Sequence, residues 1–448
     1  MPREVIDVRD SESDLKQLVS DILAEAARQG ASAAEVSVNE DVGLGVTVRK
    51  GELETVEFNQ DRGFGITVYY GLRKGSASTS DSSAGAIAET VGAARNIAKF
   101  TEEDPCSGLA DPALMPTELP DLDLYHPWQL SADAAQELAV QCEAAGLGHD
   151  QRIVNSDGTQ VSTQQSCRVY GNSHGFIGSF VGTRHSMSCV LIAEDASGMQ
   201  RDYWYTLARD PADLESPDHV GVEAARRTAA RLSPRKPATG RFPILFSPQM
   251  ASGLIGHLIG AISGGALYRK ASFLMDSLGE QVMSPHITLH ETPLVPGWLG
   301  SASFDGEGVA TQAKDFVRHG VVENYVLGSY SARKLNMHTT GNAGGVFNLQ
   351  VEGTTRSVDA MLGDLDQGLL VTELMGQGVN SVTGDYSRGA AGFWVEGGEI
   401  AYPVDEVTIA SNLRDVLCDI QCLGDDVDER ANIRAPSLLV GAMTVASQ

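Results

Sequence analysis

The regular hydrophobic pattern of the chain begins with an amphipathic segment over residues 11–28. Its apolar side chains recur at spacings of three and four, the period of one helical face, and they are Leu15, Leu18, Val19, Ile22 and Leu23. Ser11 precedes them as a candidate N-cap, and Gly30 follows them as a stop signal. The pattern predicts a helix with one face on a core.

Alternation of apolar and polar residues then replaces the helical period. Segments with this period of two lie between turns rich in Gly, Asp and Asn, at residues 34–39, 43–49, 53–59, 63–70 and 74–79. Such segments predict an antiparallel meander. Residues 85–100 predict a helix packed on that sheet, and the Pro- and acid-rich residues 101–124 predict a surface connection.

A second set of elements follows the same plan. The pattern predicts helices at 132–146 and 221–232, and it predicts strands between them at 153–155, 160–170, 175–193 and 200–207. Residues 171–175 fit the short Gly-x-Ser-x-Gly hydrolase pattern, which must join a strand to a helix. The alternation that continues after them predicts a hairpin turn instead. Residues 234–240, rich in proline and basic residues, mark a domain boundary.

The second domain opens with an apolar strand at 242–246 and a glycine-rich helix at 252–268. Glycine costs roughly 1 kcal/mol relative to alanine inside a helix. We therefore expect another backbone or a substrate to approach this helix at its glycines, which are Gly253, Gly256, Gly260, Gly264 and Gly265. Glycine stays dense from 297 to 398, which suits a β-rich core.

These patterns together predict an α+β fold with two domains. Residues 1–235 form helices packed on an antiparallel sheet, and residues 236–448 form a glycine-rich, β-rich domain with a buried helix.

Charge and composition narrow the function. The formal net charge is −26, whereas a nucleic-acid-binding protein needs a basic footprint. The run 242–268 resembles a membrane segment, but Pro248 divides it into pieces too short to span a bilayer. The first ten residues lack the apolar core of a secretory signal, and six scattered cysteines fit reduced thiols. A cytoplasmic protein that binds neither nucleic acid nor membrane is predicted.

Candidate metal-binding groups are few. His257 supplies one imidazole on the glycine-rich helix and no carboxylate, which is less than a catalytic zinc site needs; a packing role and a residual functional role both remain open. His286 and His290 could share a metal on a helix, but the residues around them predict a strand. On a strand the two lie ~13 Å apart, so no metal site is predicted in this chain.

A glycine-rich loop at residues 339–345 follows two basic residues. Its exposed amides, around Asn342, Gly344 and Gly345, suit an anion or a peptide carboxylate. A tight structural turn is the alternative.

Longer runs resemble the PmbA (TldE) branch of the TldD/PmbA peptidase family. They include Ser329-Tyr-Ser-Ala-Arg-Lys334 and Thr372-Glu-Leu-Met-Gly-Gln-Gly378, and the likeness covers nearly the whole chain. In the metal-bearing half of that family the glycine-rich helix carries His-Glu-x-x-x-His before a basic pair. Counted back from the pair Arg269-Lys270, those positions fall on Gly256, His257 and Ala261 here.

The resemblance implies a function shared between two subunits. A TldD-type partner would carry the zinc, the water and the general base, and the pair would trim unfolded or leader peptides, including peptide-antibiotic precursors. This chain would shape the peptide cavity with residues that the resemblance and the loop together indicate: His257, Arg269, Lys270, Asn342, Gly344, Gly345, Arg388 and Gly389.

The resemblance also implies a homodimer when the chain is alone, and no cofactor of its own. Two alternatives stay open: an autonomous hydrolase with unrecognised ligands, and a peptide-binding scaffold without chemistry.

Overall fold

A computed structural model of the protein describes residues 7–447. The charged N-terminal segment that argues against a secretory signal begins at Met1, so its first six residues lie outside that range. The predicted α+β class is confirmed by the mixture of helices and sheets along the described chain.

The N-terminal half forms one antiparallel sheet in the order β3-β2-β1-β4-β5-β6. Its strands are β1 (Ala33–Arg49), β2 (Glu52–Tyr70), β3 (Arg73–Thr79), β4 (Ile153–Asn172), β5 (Ile177–Asp195) and β6 (Gly198–Ala208). Its helices are α1 (Glu12–Arg28), α2 (Ala84–Phe100), α3 (Ala132–His149) and α4 (Pro217–Ala230).

All four helices cover the same face of this sheet. Val36 and Val46 of β1 point toward the helices and are buried with them, whereas Ser37 and Asn39 point the other way and are exposed on that side of the strand. Because side chains alternate along a strand, the helix-free face is polar. This face is the one that meets the C-terminal half.

The N-terminal strands are longer than predicted. Residues 34–39 and 43–49 belong to one strand, and so do residues 53–59 and 63–70. The acidic and glycine-rich residues between them predicted turns, but Asp41 pairs with Asp61 and the ladder continues. Gly43 instead allows β1 and β4 to pack closely, because a Cβ there would lie 3.2 Å from the Thr163 carbonyl oxygen.

The predicted hairpin at residues 171–175 is confirmed. β4 ends at Asn172, β5 begins at Ile177, and Gly175 between them has a φ of +93°. The serine of the short hydrolase pattern therefore lies in a hairpin turn and not at a strand-to-helix turn.

The C-terminal half contains two sheets. One has the order β14-β13-β12-β7-β17-β15, and a further pairing of β14 with β17 closes five of its strands on themselves; the other has the order β10-β9-β8-β11-β16. The strands are β7 (Gly240–Phe246), β8 (Thr288–Glu291), β9 (Lys314–Arg318), β10 (Val321–Val322), β11 (Leu349–Glu352), β12 (Gln367–Met375), β13 (Asp385–Glu396), β14 (Glu399–Asn412), β15 (Ile420–Leu423), β16 (Ile433–Arg434) and β17 (Leu438–Ser447).

Short helices connect these strands. They are α5 (Pro248–Ala261), α6 (Gly264–Tyr268), α7 (Ser329–Lys334), α8 (Val358–Gly363) and α9 (Leu413–Cys418). Leu254, Ile255 and Leu258 of α5 lie in the main hydrophobic core of this half. Pro248 occupies the first turn of α5, so the apolar run divides into a strand and a helix as predicted. No helix between residues 7 and 447 has the length and apolarity that crossing a bilayer requires.

The predicted single helix at 252–268 is wrong in its extent. It begins earlier, at Pro248, and it breaks after Ala261. Ser263 has an extended backbone, and its side chain accepts a hydrogen bond from the Ala266 amide, which starts α6 as a new helix. A side chain that caps a helix in this way competes with continuation of the preceding helix.

The expected approach of another backbone at the helix glycines is not seen within the described chain, because the atoms nearest to a Cβ built on them belong to side chains; close packing occurs at Gly264. A Cβ on Gly264 would lie 2.3 Å from the Ser331 Oγ, whereas Gly253 and Gly260 have no described atom within 4 Å of that position. A Cβ on Gly256 would lie 3.9 Å from Ile433 Cδ1, which is an ordinary contact distance. The outer face of α5 is therefore open in the single chain.

Candidate functional site

The three positions that correspond to the family's zinc motif do not form a metal site. Ala261 is 3% exposed and packs in the core, while Gly256 lies on the open face of α5 beside Ile433. His257 is half-buried with its ring centroid 6.1 Å from that of Tyr386. Burial lowers the pKa of His257, and the charge of Arg388 lowers it further, so the imidazole is neutral at neutral pH.

Zinc needs several ligands that converge on one point. Among residues 7–447, no three His, Cys, Asp or Glu side chains are grouped so that they could hold a metal ion. His290 lies on a strand, as predicted, and its Nδ1 is 2.5 Å from the Asp315 carboxylate. The donor set of the described chain does not fit the zinc that the family's motif holds.

A cleft of about 970 Å³ lies between the two halves of the chain. Its floor is the helix-free face of β1, β4 and β5, and its wall consists of C-terminal loops around residues 299–306, 343–347 and 430–432. Clefts at domain junctions with a few polar groups are the usual binding sites of globular proteins. We therefore take this cleft as the candidate site.

One wall is fixed by a buried polar cluster. Asn342 is 3% exposed, and its Nδ2 donates to Glu291 Oε1 at 3.0 Å and to the Gly345 carbonyl at 3.0 Å. Lys314 Nζ donates to Glu291 at 2.7 Å and to Asn342 Oδ1 at 3.0 Å. The cluster holds the turn, whose Gly344, with a φ of +108°, lines the cleft.

Asp305 joins two loops of the same wall. The carboxylate is 3% exposed, and it accepts hydrogen bonds from the backbone amides of Glu307 at 2.9 Å, Val309 at 3.0 Å and Ala343 at 2.8 Å. Burial raises the pKa of Asp305 to about 6, against the effect of these three donors. At neutral pH the group is still a carboxylate, and it fixes the position of Ala343 at the cleft.

The floor carries arginines that the sequence analysis did not single out. Arg168 on β4, Arg184 on β5 and Arg209 just after β6 all line the cleft. Arg209 donates to the carbonyls of Trp298 at 3.1 Å and Leu299 at 2.8 Å, so it also ties the sheet to the C-terminal wall.

Aromatic rings cross the same junction. Phe180 of β5 stacks on Phe304 of the wall with ring centroids 4.3 Å apart, and Phe176 meets Phe304 edge to face at 5.2 Å. Such pairs contribute ~0.5–1.5 kcal/mol beyond their buried area. They hold the wall at a fixed distance above the floor.

The remaining predicted cavity residues lie elsewhere. Arg269 and Lys270 are exposed at the end of α6, where Arg269 contacts the Tyr268 ring. Arg388 and Gly389 lie in β13; Arg388 donates to the Leu374 carbonyl at 3.4 Å, and Gly389 pairs with Met375 and Thr408. Within the described chain, Gly344 is the member of the predicted set that lines the cleft.

Comparison with known proteins shows the family to which the chain belongs. The profile of the PmbA/TldA metallopeptidase C-terminal domain matches residues 239–447, that of the central domain matches 125–232, and that of domain 1 matches 34–98. The chain belongs to the PmbA/TldA metallopeptidase family. This is the family that the sequence motifs resemble, and its three profiles cover the sheet, the cleft and the glycine-rich helix.

Individual relatives agree. The chain is 49% identical over 434 residues to the Escherichia coli O157:H7 protein named metalloprotease PmbA, covering 97% of this chain and 96% of that relative. A crystal structure of a candidate DNA gyrase modulator from Bacteroides thetaiotaomicron superposes with a TM-score of 0.92 at 26% identity, over 98% of this chain and 100% of that one. TldE from Thermococcus kodakarensis shares the fold, with a TM-score of 0.84 at 21% identity, over 96% and 100%.

The wall geometry predicts a specific effect of Asp305→Asn. The one carbonyl oxygen of asparagine can serve either the Glu307 and Val309 amides or the Ala343 amide, so at least one buried donor loses its partner. We expect a loss of about 1–3 kcal/mol in the free energy of unfolding, measured by urea denaturation. Asp366→Asn is the control, because Asp366 is exposed and its side chain makes no hydrogen bond with the described residues. Equal stability of the two variants would contradict the role assigned to Asp305.

Proposed function

We propose that this chain is the subunit without a zinc site in a cytoplasmic two-subunit peptidase of the PmbA/TldD kind, which trims unfolded or leader peptides, including peptide-antibiotic precursors. The observation that supports this most directly is the composition of α5. The family's architecture is complete along the chain, yet the three motif positions are Gly256, His257 and Ala261. One imidazole cannot hold zinc as these peptidases require, and the glutamate that serves as their general base is replaced by His257.

In this proposal the partner supplies the catalytic centre. A zinc held by the partner would supply Lewis-acid chemistry and an activated water, and the glutamate of the partner's zinc helix would be the general base. This chain contributes the surface that binds and orients the peptide. Orientation of this kind accounts for a large part of the rate in enzymes that act on two reactants.

The cleft is suited to an extended peptide. It offers polar side chains on its floor, such as Asn39, Gln164 and Ser166, and aromatic rings on its wall. The floor is the face of the sheet and not an edge, so the peptide would be held by side chains and not by a ladder of backbone hydrogen bonds. A pocket of this size, bordered by Phe180 and Phe304, excludes water from one side of a bound peptide.

A homodimer of the isolated chain forms part of the proposal. The first half of β2, residues 52–62, is exposed on both faces, and β3 pairs with β2 only from Phe64 onward. Leu53, Val56 and Phe58 of this unpaired edge are 46%, 39% and 58% exposed. An unpaired edge with apolar side chains is a template for pairing with another chain.

The first test compares variants in a reconstituted pair. Replacing the glutamate of the partner's zinc helix should lower peptidase activity by ~10²–10⁴-fold, whereas His257→Ala in this chain should leave most of it. Gly344→Trp should weaken activity by filling the cleft while the partner keeps its zinc. Gly376→Trp is its matched control, since Gly376 also has a positive φ, of +75°, and open space around it but does not line the cleft.

Three results would contradict the proposal. If His257→Ala lowered activity as much as the partner's glutamate variant, with the complex intact, this subunit would be catalytic. If the partner alone were fully active, this chain would be a scaffold. Peptidase activity of this chain alone would support the autonomous hydrolase.

The second test concerns assembly. Light scattering at micromolar concentration should give about twice the chain mass of 47.5 kDa, and Phe58→Lys should shift the chain toward monomer. Because Glu52, Glu54, Glu57 and Asp61 line the same edge, added salt should strengthen the dimer by screening their repulsion. Phe100→Lys is the control, since Phe100 is 90% exposed on α2. A wild-type monomer, or a dimer insensitive to Phe58→Lys, would count against this edge.

A further inference from the structure

We propose that the cleft recognises a carboxylate on its peptide, either the free C-terminus or an acidic side chain, through the arginines of the sheet floor. This inference rests on the proposed function in one respect, that the cleft binds a peptide. It goes further by naming the chemical group that the cleft selects.

The first observation is that two floor arginines have unused donors. The side chain of Arg184 makes neither a hydrogen bond nor an ion pair with any residue from 7 to 447, and it is exposed at the cleft. The side chain of Arg168 likewise forms no hydrogen bond or ion pair within the described chain, although its charge lowers the pKa of Asp41 on β1. A guanidinium has five N–H donors in a planar fork that matches a carboxylate.

The second observation is an uncompensated charge behind them. The Arg209 guanidinium donates hydrogen bonds to the carbonyls of Thr183, Trp298 and Leu299. No carboxylate of the described chain lies within ion-pair distance of Arg209. Burial lowers the pKa of Arg209 to about 10, and the charge of Arg184 adds to this effect. An anion between Arg184 and Arg209 would reduce the repulsion between their positive charges.

The acidic groups that face the cleft do not cancel this field. The Asp305 carboxylate accepts hydrogen bonds from three backbone amides. Arg430 is a fourth cation at the cleft, on the wall, and it forms an ion pair with Asp428. Asp41, on the β1 side of the floor, is the remaining acidic residue of the described chain that lines the cleft. Burial raises the pKa of Asp41, and the charge of Arg168 lowers it. A local excess of cations persists in a chain whose net charge is −26.

The strand register gives the place where the carboxylate fits. Ser166 on β4 pairs with Gly182 on β5, Arg168 lies two residues to one side of that pair, and Arg184 lies two residues to the other. Two residues of strand span ~7 Å, so both guanidinium groups can reach a group above the pair. The absence of a side chain at Gly182 makes room for Arg209, since a Cβ there would lie 2.9 Å from Arg209 Nη1, so a carboxylate near this pair would lie beside a third guanidinium.

The neighbouring rings define what accompanies the carboxylate. Phe180 pairs with Arg168 across the strands and stacks on Phe304, and Phe347 lies on the same wall. An apolar side chain beside the carboxylate would contact these rings. The preferred peptide thus carries an acidic group next to an apolar residue.

The test measures binding of fluorescent peptides to the full chain by anisotropy. An extended peptide with one Glu beside a Leu is compared with the same peptide carrying Gln, each with a free and an amidated C-terminus. Charge-assisted hydrogen bonds to arginine should make at least one carboxylate-bearing form bind about 10–100-fold more tightly than the neutral amide. Which of the two forms shows the effect distinguishes a side-chain carboxylate from the C-terminus.

Variants locate the effect. Arg184→Gln and Arg168→Gln should each reduce the ratio of the charged-peptide to the neutral-peptide affinity by about tenfold or more, because the carboxylate loses charge-assisted hydrogen bonds. Arg184→Lys should restore part of it, because lysine keeps the charge and loses the fork. Arg201→Gln is the control, since Arg201 lies exposed on β6 and pairs with Asp157 outside the cleft. Melting temperatures confirm that the variants fold.

The outcomes separate this inference from the proposed function. Equal affinity for charged and neutral peptides would overturn the carboxylate inference and leave the peptide cleft standing. A preference that survives both arginine variants would also overturn it. Absence of binding by every peptide at millimolar concentration would overturn both the inference and the assignment of this cleft as the peptide site.

Discussion

The helix-free face of the N-terminal sheet is the constraint on which the arrangement depends. Four helices bury one face, so the opposite face, which is polar, meets the C-terminal loops and encloses a cleft instead of a core. Arg209 and Asp305 hold the two sides of this cleft in place by hydrogen bonds to backbone groups. Because both side chains are mostly buried, loss of either bond leaves a polar group without a partner, which is costly.

The pattern of hydrophobic positions predicted most of the fold. Periods of two and of about 3.6 depend on local geometry alone, and they located the four N-terminal helices, the hairpin after β4 and the strand that precedes α5. Errors arose where glycine and acidic residues were interpreted as turns. Gly43 and Asp41 both lie inside β1. Gly43 allows close packing of neighbouring strands, and Asp41 pairs with Asp61 in the continuing ladder. The break at Ser263 involves a tertiary contact as well as the cap, since the backbones of Ile262 and Gly264 hydrogen bond with Val326.

The candidate site was less accessible from the sequence. Arg168 and Arg184 alternate with buried residues on their strands, which is the pattern of any solvent-facing sheet, and only the loops that cover them turn that face into a cleft. Asp305 lies in an Asp-Gly pair that signals a turn, but its three backbone partners include Ala343, far away in sequence. Gly344 was found because a glycine-rich loop after basic residues has a recognisable local pattern.

Together these features describe a member of the PmbA/TldA metallopeptidase family with Gly256, His257 and Ala261 at the positions of the zinc motif and a cleft that we propose binds the peptide. Native mass spectrometry of this chain, alone and paired with a TldD-type partner, tests that division most directly. The account predicts no zinc bound to this chain alone and one zinc per pair, which the partner retains when the two are separated. One tightly held, chelator-sensitive zinc on this chain, or two per pair, would contradict it.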